Sequence, residues 1–368
     1  MNAPLLRLSA RRAAPLPALA VVVGVTLLAV VDPPGRAEIV EVSPTFEEVI
    51  RGGRELAART GWIAGLLVAS ALVALFAARV PDRWFRHEGD WLGVTGTSRS
   101  SIVRTCLAGI LLGTAGFPLV IGLVAGPLGG ARGEPHGDHA ARAPLLELES
   151  IAGPSRSFVL MPGERFEQEF PEGTTHADSR VRVRVAPALG GEGPTTLARV
   201  EAAGQVSEQL VARRAWLEVS PSPGMRRVSV TNIGTGALAV VGPDPVEAWR
   251  PSNASGAGHL RLAAHAGLYL VFLAALAFGL GAWMGPGIAA TLAISLWLGA
   301  RMALAATPME GALPGGASLV AAIQAIAEGR SPQPLSTAPT IAAAGAVLTG
   351  FALARSSLGT WRRESRSS

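Results

Sequence analysis

Lysine is absent from this 368-residue chain: all 32 basic positions are arginine. A phosphate-binding loop of the form GxxxxGK[ST] needs a lysine to reach the nucleotide phosphates, so P-loop ATP hydrolysis is excluded for this chain. Cysteine is nearly absent. The single Cys106 has no partner for an intrachain disulfide, so any exposed domain must be held by its own core. Charge is sparse as well, 16% of residues against 49% hydrophobic, which directs attention to lipid as a solvent. The chain shows no Ser/His/Asp set, no HExxH and no glycine-rich nucleotide fingerprint, so neither intrinsic enzymatic activity nor a cofactor is expected.

What the chain has instead is long apolar blocks. A hydrocarbon layer about 30 Å thick requires about 20 apolar residues in helix, because every backbone polar group must be bonded internally there. Blocks meeting this requirement run from Ala14 to Val31, Gly61 to Val80, Ile102 to about Leu128 with Pro118 inside, Leu262 to Trp283 and Ile288 to Ala306. A shorter, alanine-rich block from Ala338 to Ala354 gives the sixth. RLSARR ahead of the first block resembles the start of a signal peptide, but no small-x-small cleavage site follows Val31 cleanly, and a retained span is expected.

Arginine gathers in three short segments: Arg7, Arg11 and Arg12 before the first block, Arg79, Arg83, Arg86, Arg99 and Arg104 around the second loop, and Arg355, Arg362, Arg363 and Arg366 at the end. With six spans these fall on one side, and the positive-inside rule makes that side, with both termini, cytoplasmic. The opposite side holds 32–60, with six acids against four arginines, and 129–258, with fifteen acids against thirteen arginines. The pI near 10.9 therefore reflects a cytoplasmic rim and implies no nucleic-acid partner.

Between the third and fourth blocks the period changes to two. RVRVRV at Arg180–Val185, RRAWLEV at Arg213–Val219, RRVSVTN at Arg226–Asn232 and ALAVV at Ala237–Val241 alternate like half-buried strands, and MPGE, LGGEGP, PSPG and NIGTG separate such runs as turns. The expected fold is an α-helical polytopic membrane protein with six transmembrane helices and an inserted all-β sandwich or jelly roll of roughly eight strands. Its parts are 1–128 (three spans, with a loop at 81–101), 129–259 (the β domain) and 260–368 (three spans and a basic tail).

The loop at 81–101 is the most informative segment. Glu88, Leu92, Gly96 and Ser98 space an acid, an apolar residue, a glycine and a small hydroxyl directly before an apolar helix. This suits a short surface helix with Glu88 near its N-terminus, broken at Gly96, with Thr97 or Ser98 as N-cap of the next span. An ordinary capped turn between spans is the plainer reading. The segment resembles the coupling helix of ABC-exporter permeases, and the order of three spans, β domain and three spans resembles the lipopolysaccharide-export permease family (LptF/LptG). Gly89 and Trp91 depart from the family pattern. The resemblance implies a permease subunit in the bacterial inner membrane that extracts lipopolysaccharide or a related lipid. It also implies a cytoplasmic ABC ATPase dimer docking at Glu88, Leu92, Gly96 and Ser98, a second permease subunit and periplasmic bridge proteins.

Three further residues are candidates for substrate contact. Arg301 lies within the fifth block, where a cation is costly in lipid unless it meets protein, water or an anionic group. Arg36 and His265 stand near outer span ends, although an exposed loop arginine is the plainer reading of Arg36. The stripe Arg180, Arg182, Arg184 puts three cations on one strand face, most simply a solvated one. His136, Asp138 and His139 lack a second cluster, so no metal is expected. Gly61/Gly65, Gly109/Gly113 and Gly281/Gly285 have the spacing of close helix contacts. The competing functional class is a non-transporting, membrane-anchored protein whose β domain binds a periplasmic ligand or glycan; unlike a permease, it makes no use of Glu88.

Overall fold

The computed structural model describes residues 2–31, 46–87, 98–131, 146–152, 156–169, 180–188, 196–202, 205–211, 215–219, 227–241, 245–251, 255–305, 307–327 and 330–367. The chain forms two compact units, Met1–Ala143 with Gly256–Ser368, and Pro144–Ser255. The first is helical and the second is built of strands. The β unit was expected at 129–259; helix continues to Ala131 before it and resumes at Ser255 after it.

Among the described residues, six helices are long and apolar enough to cross a membrane: Ala3–Val31, Arg59–Trp84, Ser100–Gly126, Gly258–Gly281, Pro286–Leu304 and Thr337–Ser357. They mark the chain as a multi-pass membrane protein. The first is two helices, α1 (Ala3–Ala13) and α2 (Leu16–Val31), and starts well before the apolar block. Asn2 caps α1 by accepting from Leu5 N at 3.4 Å, and Arg11 and Arg12 in its last turn oppose the helix dipole favourably. Pro15 ends it, since proline lacks an N–H and pushes the preceding residue out of the helical region; Ala14 has φ −132° and ψ 71°.

The second span is the end of α3 (Phe46–Pro81), followed by a π-helical turn at Asp82–His87. The third is α4 (Arg99–Thr114) and α5 (Gly116–Ala131), interrupted at Ala115. Pro118 gives the reason, because its ring would clash with the carbonyl of Thr114 in a continuous helix. After the β unit come α6 (Ser255–Gly281), α7 (Pro286–Leu304), a 3-10 turn (Pro308–Ala312), α8 (Ala317–Ala327) and α9 (Thr337–Ser367).

Glycines set the spacing of these helices. A Cβ on Gly61 would lie 2.5 Å from Val30 Cγ2, and one on Gly65 would lie 2.5 Å from Thr26 Oγ1, so both press α3 against α2. Gly109 and Gly113 receive α1 in the same way, through Leu6, Ser9 and Ala10. Gly281 meets the backbone of Ala78, whereas Gly285 has open space and instead precedes Pro286 at the start of α7. A pair not singled out by spacing joins α6 to α9: Gly350 lies against the Ala275 carbonyl, and Gly279 against Gly350. Lipid tails are as apolar as leucine, so close backbone approach replaces the hydrophobic drive between helices.

The β unit has ten strands among the described residues: β1 (Leu146–Ala152), β2 (Phe158–Leu160), β3 (Arg165–Glu169), β4 (Arg180–Pro187), β5 (Thr196–Ala202), β6 (Gln205–Val211), β7 (Ala215–Val219), β8 (Arg227–Asn232), β9 (Leu238–Val240) and β10 (Val246–Pro251). They form two antiparallel sheets, β1-β10-β4-β9-β2 with β7 on β4, and β3-β8-β5-β6. Both sheets contribute to one apolar cluster, with Val181, Val183, Val185 and Leu217 from the first and Val200, Val228 and Val230 from the second. The turn Met161–Glu164 has Pro162, then Gly163 at φ 86°, and closes with Glu164 N donating to the Met161 carbonyl at 2.9 Å, the pattern of a type II turn.

The arginine stripe on β4 differs from the solvated face expected for it, since Arg182 is only 8% exposed. Strands flank it on both sides and set Glu247 of β10 and Glu218 of β7 in register with it. The second sheet carries exposed ion pairs, Arg165–Glu167 at 2.9 Å, Arg199–Glu208 at 2.6 Å and Arg227–Glu169 at 2.7 Å. Glu169 and then Glu167 hold the Arg227 pKa above its usual value. Such exposed pairs are screened by water, add little to stability and chiefly keep that face wet.

Asn232 is the polar centre of the unit. Fully buried, it accepts from Thr196 Oγ1 (3.0 Å) and Gly234 N (3.1 Å) and donates to the carbonyls of Leu160 (2.9 Å) and Gly236 (2.8 Å). Asn232→Ala leaves those groups buried without the carboxamide, a loss of about 1–3 kcal/mol, and should open 144–255 to limited proteolysis. In the helical unit, Gly350→Val sets a side chain against the Ala275 backbone and should lower the thermal midpoint in detergent, an overpacking cost of about 1–3 kcal/mol. Gly345→Ala, with open space at its Cβ, should leave that midpoint unchanged.

Candidate functional site

Of the four residues expected to couple to an ATPase, Ser98 is described; Glu88, Leu92 and Gly96 lie outside the described residues, as does Arg36. So do His136, Asp138 and His139. Ser98 is the N-cap of α4, with its Oγ accepting from Ser101 N at 3.3 Å. The other border of the loop is the π-helical turn Asp82–His87, an uncommon winding that recurs at functional positions. The loop is thus framed by a capped helix start and an irregular helix end.

His265 and Arg301 both stand where the connection between α7 and α9 returns to the bundle. His265 on α6 is buried, and its Nε2 lies 3.0 Å from the Gln333 carbonyl. That contact requires the proton on Nε2, because a carbonyl can only accept. One turn earlier, Arg261 donates to Ser331 Oγ at 3.1 Å and to the Pro332 carbonyl at 3.4 Å. Arg301, in the last turn of α7, lies over the Trp297 ring at 5.6 Å. Protein partners therefore occupy both candidates, and the costly cation in the fifth span is stabilised by an aromatic face.

Trp297 leads to the feature that span-by-span reading of the sequence missed. Its ring packs on Tyr269 at 4.9 Å between centroids, and its Nε1 donates to the Pro314 carbonyl at 2.9 Å. Tyr269 lies near the middle of the fourth span, and its hydroxyl hydrogen-bonds Ser70 Oγ, near the middle of the second, at 2.9 Å. Gly315, at φ 79°, presses on the Tyr269 ring, and Leu313, Pro314, Gly315 and Gly316 are all buried. The segment from the 3-10 turn through α8 consequently turns back into the helical unit. Non-helical backbone is tolerated at that depth only when protein supplies its hydrogen bonds, as Trp297 does here. A signal was present: LPGG followed by an apolar stretch of helical length is too long and too apolar for a simple turn.

The Tyr269–Gly315 contact has a direct test. Gly315→Ala combines an unfavourable positive φ with a Cβ against the Tyr269 ring, so the thermal midpoint should drop sharply. Gly311→Ala in the preceding turn, where the added methyl meets nothing, should behave as wild type.

Compared with protein-family models, with curated proteins and with solved structures, the chain matches none.

Proposed function

We propose that this chain is the permease subunit of an ABC exporter that moves lipopolysaccharide or a related lipid out of the bacterial inner membrane, driven by a separate cytoplasmic ATPase dimer. The observation that carries the reading is the chain order: three apolar spans, a β unit at Pro144–Ser255 and three more apolar spans, with Glu88, Leu92, Gly96 and Ser98 between the second and third. Ser98 as the cap of α4 supports the part of this pattern that fixes where the third span begins. The lack of lysine supports ATP hydrolysis on another subunit.

In this reading the β unit is a periplasmic jelly roll that receives the lipid and passes it to a bridge protein, and a second permease subunit completes the cavity. Two antiparallel sheets around one apolar cluster support a sandwich. Glu88 sits in a cleft of the ATPase, so nucleotide-driven closure is transmitted through the loop to α3 and α4. The catalytic step is not on this chain, and its own contribution is shape change.

The test is affinity purification of the tagged full chain in mild detergent beside Glu88→Ala. Recovery of an ABC ATPase with the wild type, reduced at least about tenfold in the variant while membrane levels stay equal, is the expected result. Wild-type protein that is intact in the membrane yet brings down no ATPase sinks the proposal and favours the anchored binding protein.

A further inference from the structure

Four arginines meet around one cleft at the end of the helical unit. Arg11 and Arg12 come from the end of α1, Pro15 from the break before α2, Phe76, Arg79 and Val80 from α3, Asp82 and Arg83 from the π-helical turn, and Pro286 from the start of α7. The cleft is half open to its surroundings and has a volume of about 730 Å³, within the range of small-molecule sites. Among the described lining residues the only carboxylate is Asp82, so cations predominate. Two of the guanidiniums lie over aromatic rings, Arg12 at 4.4 Å from the Trp84 centroid and Arg79 at 5.7 Å from that of Phe76. A guanidinium carries five N–H donors in a planar fork, so side chains that already have protein contacts can still donate to an oxyanion.

Position decides which anion. The cleft lies where the first and second spans and the start of the fifth come together, so an occupant is in register with the end of the apolar layer. Pro15, Phe76, Val80 and Pro286 give it an apolar wall beside the cations, which matches the junction of a lipid headgroup with its glycerol and acyl chains. Inorganic phosphate has no use for that wall. Basic pockets between span ends are the general means by which anionic headgroups are held at a membrane face.

We infer that this cleft binds the phosphodiester of an anionic glycerophospholipid, in the leaflet on the arginine-bearing side. The inference goes beyond the proposed export activity and stands on the membrane architecture alone. Such a lipid is a resident ligand of the helical unit, with its phosphate bridging α1 to the end of α3. It stabilises the fold by tying α1 to the end of α3.

The test is thermal stability of the full chain in nonionic detergent, titrated with phosphatidylglycerol, with phosphatidylcholine and with inorganic phosphate. Phosphatidylglycerol should raise the midpoint saturably, while the other two leave it within error. Arg11→Gln with Arg83→Gln, both exposed side chains, should weaken the apparent affinity by about tenfold or more. Arg355→Gln, which removes a cation outside the cleft lining, should change it less than about twofold. Arg83→Lys should retain most of the response, separating lost charge from misfolding. An equal effect of inorganic phosphate overturns the lipid assignment, and equal losses in the cleft variant and Arg355→Gln replace the site by diffuse surface charge. An undiminished response in a folded cleft variant also overturns it.

Discussion

A backbone N–H or C=O removed from water must find a partner, and most of this structure follows from that one constraint. In the helical unit it imposes continuous helices across the apolar layer and makes each interruption depend on local chemistry. Pro15 and Pro118 interrupt spans at positions where the missing N–H and the ring clash are accommodated by starting a new helix. At Pro314, where the chain leaves helical form near mid-span depth, Trp297 supplies the donor. In the β unit the Asn232 side chain donates to the Leu160 and Gly236 carbonyls. An indole in the helical unit and a carboxamide in the β unit thus answer backbone carbonyls removed from water.

Helix-to-helix packing depends on a second consequence of lipid. Because burial against lipid tails gains nothing over burial against protein, helices are held by close contact, and close contact needs positions without a Cβ. Gly61, Gly65, Gly109 and Gly113 meet that need and were legible from their spacing of four. Gly281 and Gly350 meet it as well, each against a backbone carbonyl, but the partner of Gly281 is Ala78 rather than anything opposite Gly285. Spacing identifies a glycine able to pack; it does not identify the helix it packs on.

The same distinction separates what was legible from what was not. Periodicity located the spans and the strands at Arg180–Pro187, Ala215–Val219, Arg227–Asn232 and Leu238–Val240, because period is a local property of the chain. Burial of Arg182 depends on β7 and β10 arriving on either side of β4, and the return of Leu313–Gly316 depends on Tyr269 and Trp297 from other helices. Tertiary partners of this kind leave only faint traces, such as a buried-length apolar stretch in an apparent loop. For the candidate site, a cap at Thr97 or Ser98 was legible because capping is decided within four residues, and the structure gives Ser98. His265 and Arg301 were legible as costly positions, but that a backbone carbonyl and an indole answer them could not be read from spacing.

The basic cleft and the loop expected to couple to an ATPase are joined by covalent continuity, which constrains how either can behave. Glu88 follows directly on His87, the last residue of the turn that carries Asp82 and Arg83. If an ATPase docks at Glu88 as proposed, its force reaches the turn that sets Arg83 in the cleft with Arg11 and Arg12. Thermodynamic linkage then makes the effect reciprocal: if docking at the loop alters headgroup affinity by some factor, the headgroup alters docking by the same factor. On those two proposals, removal of anionic lipid by detergent would alter docking, and a lipid held tightly in one docking state would be released in the other. Coupling of this kind needs no wire through the bundle, only a short turn shared by the proposed docking loop and the proposed lipid cleft.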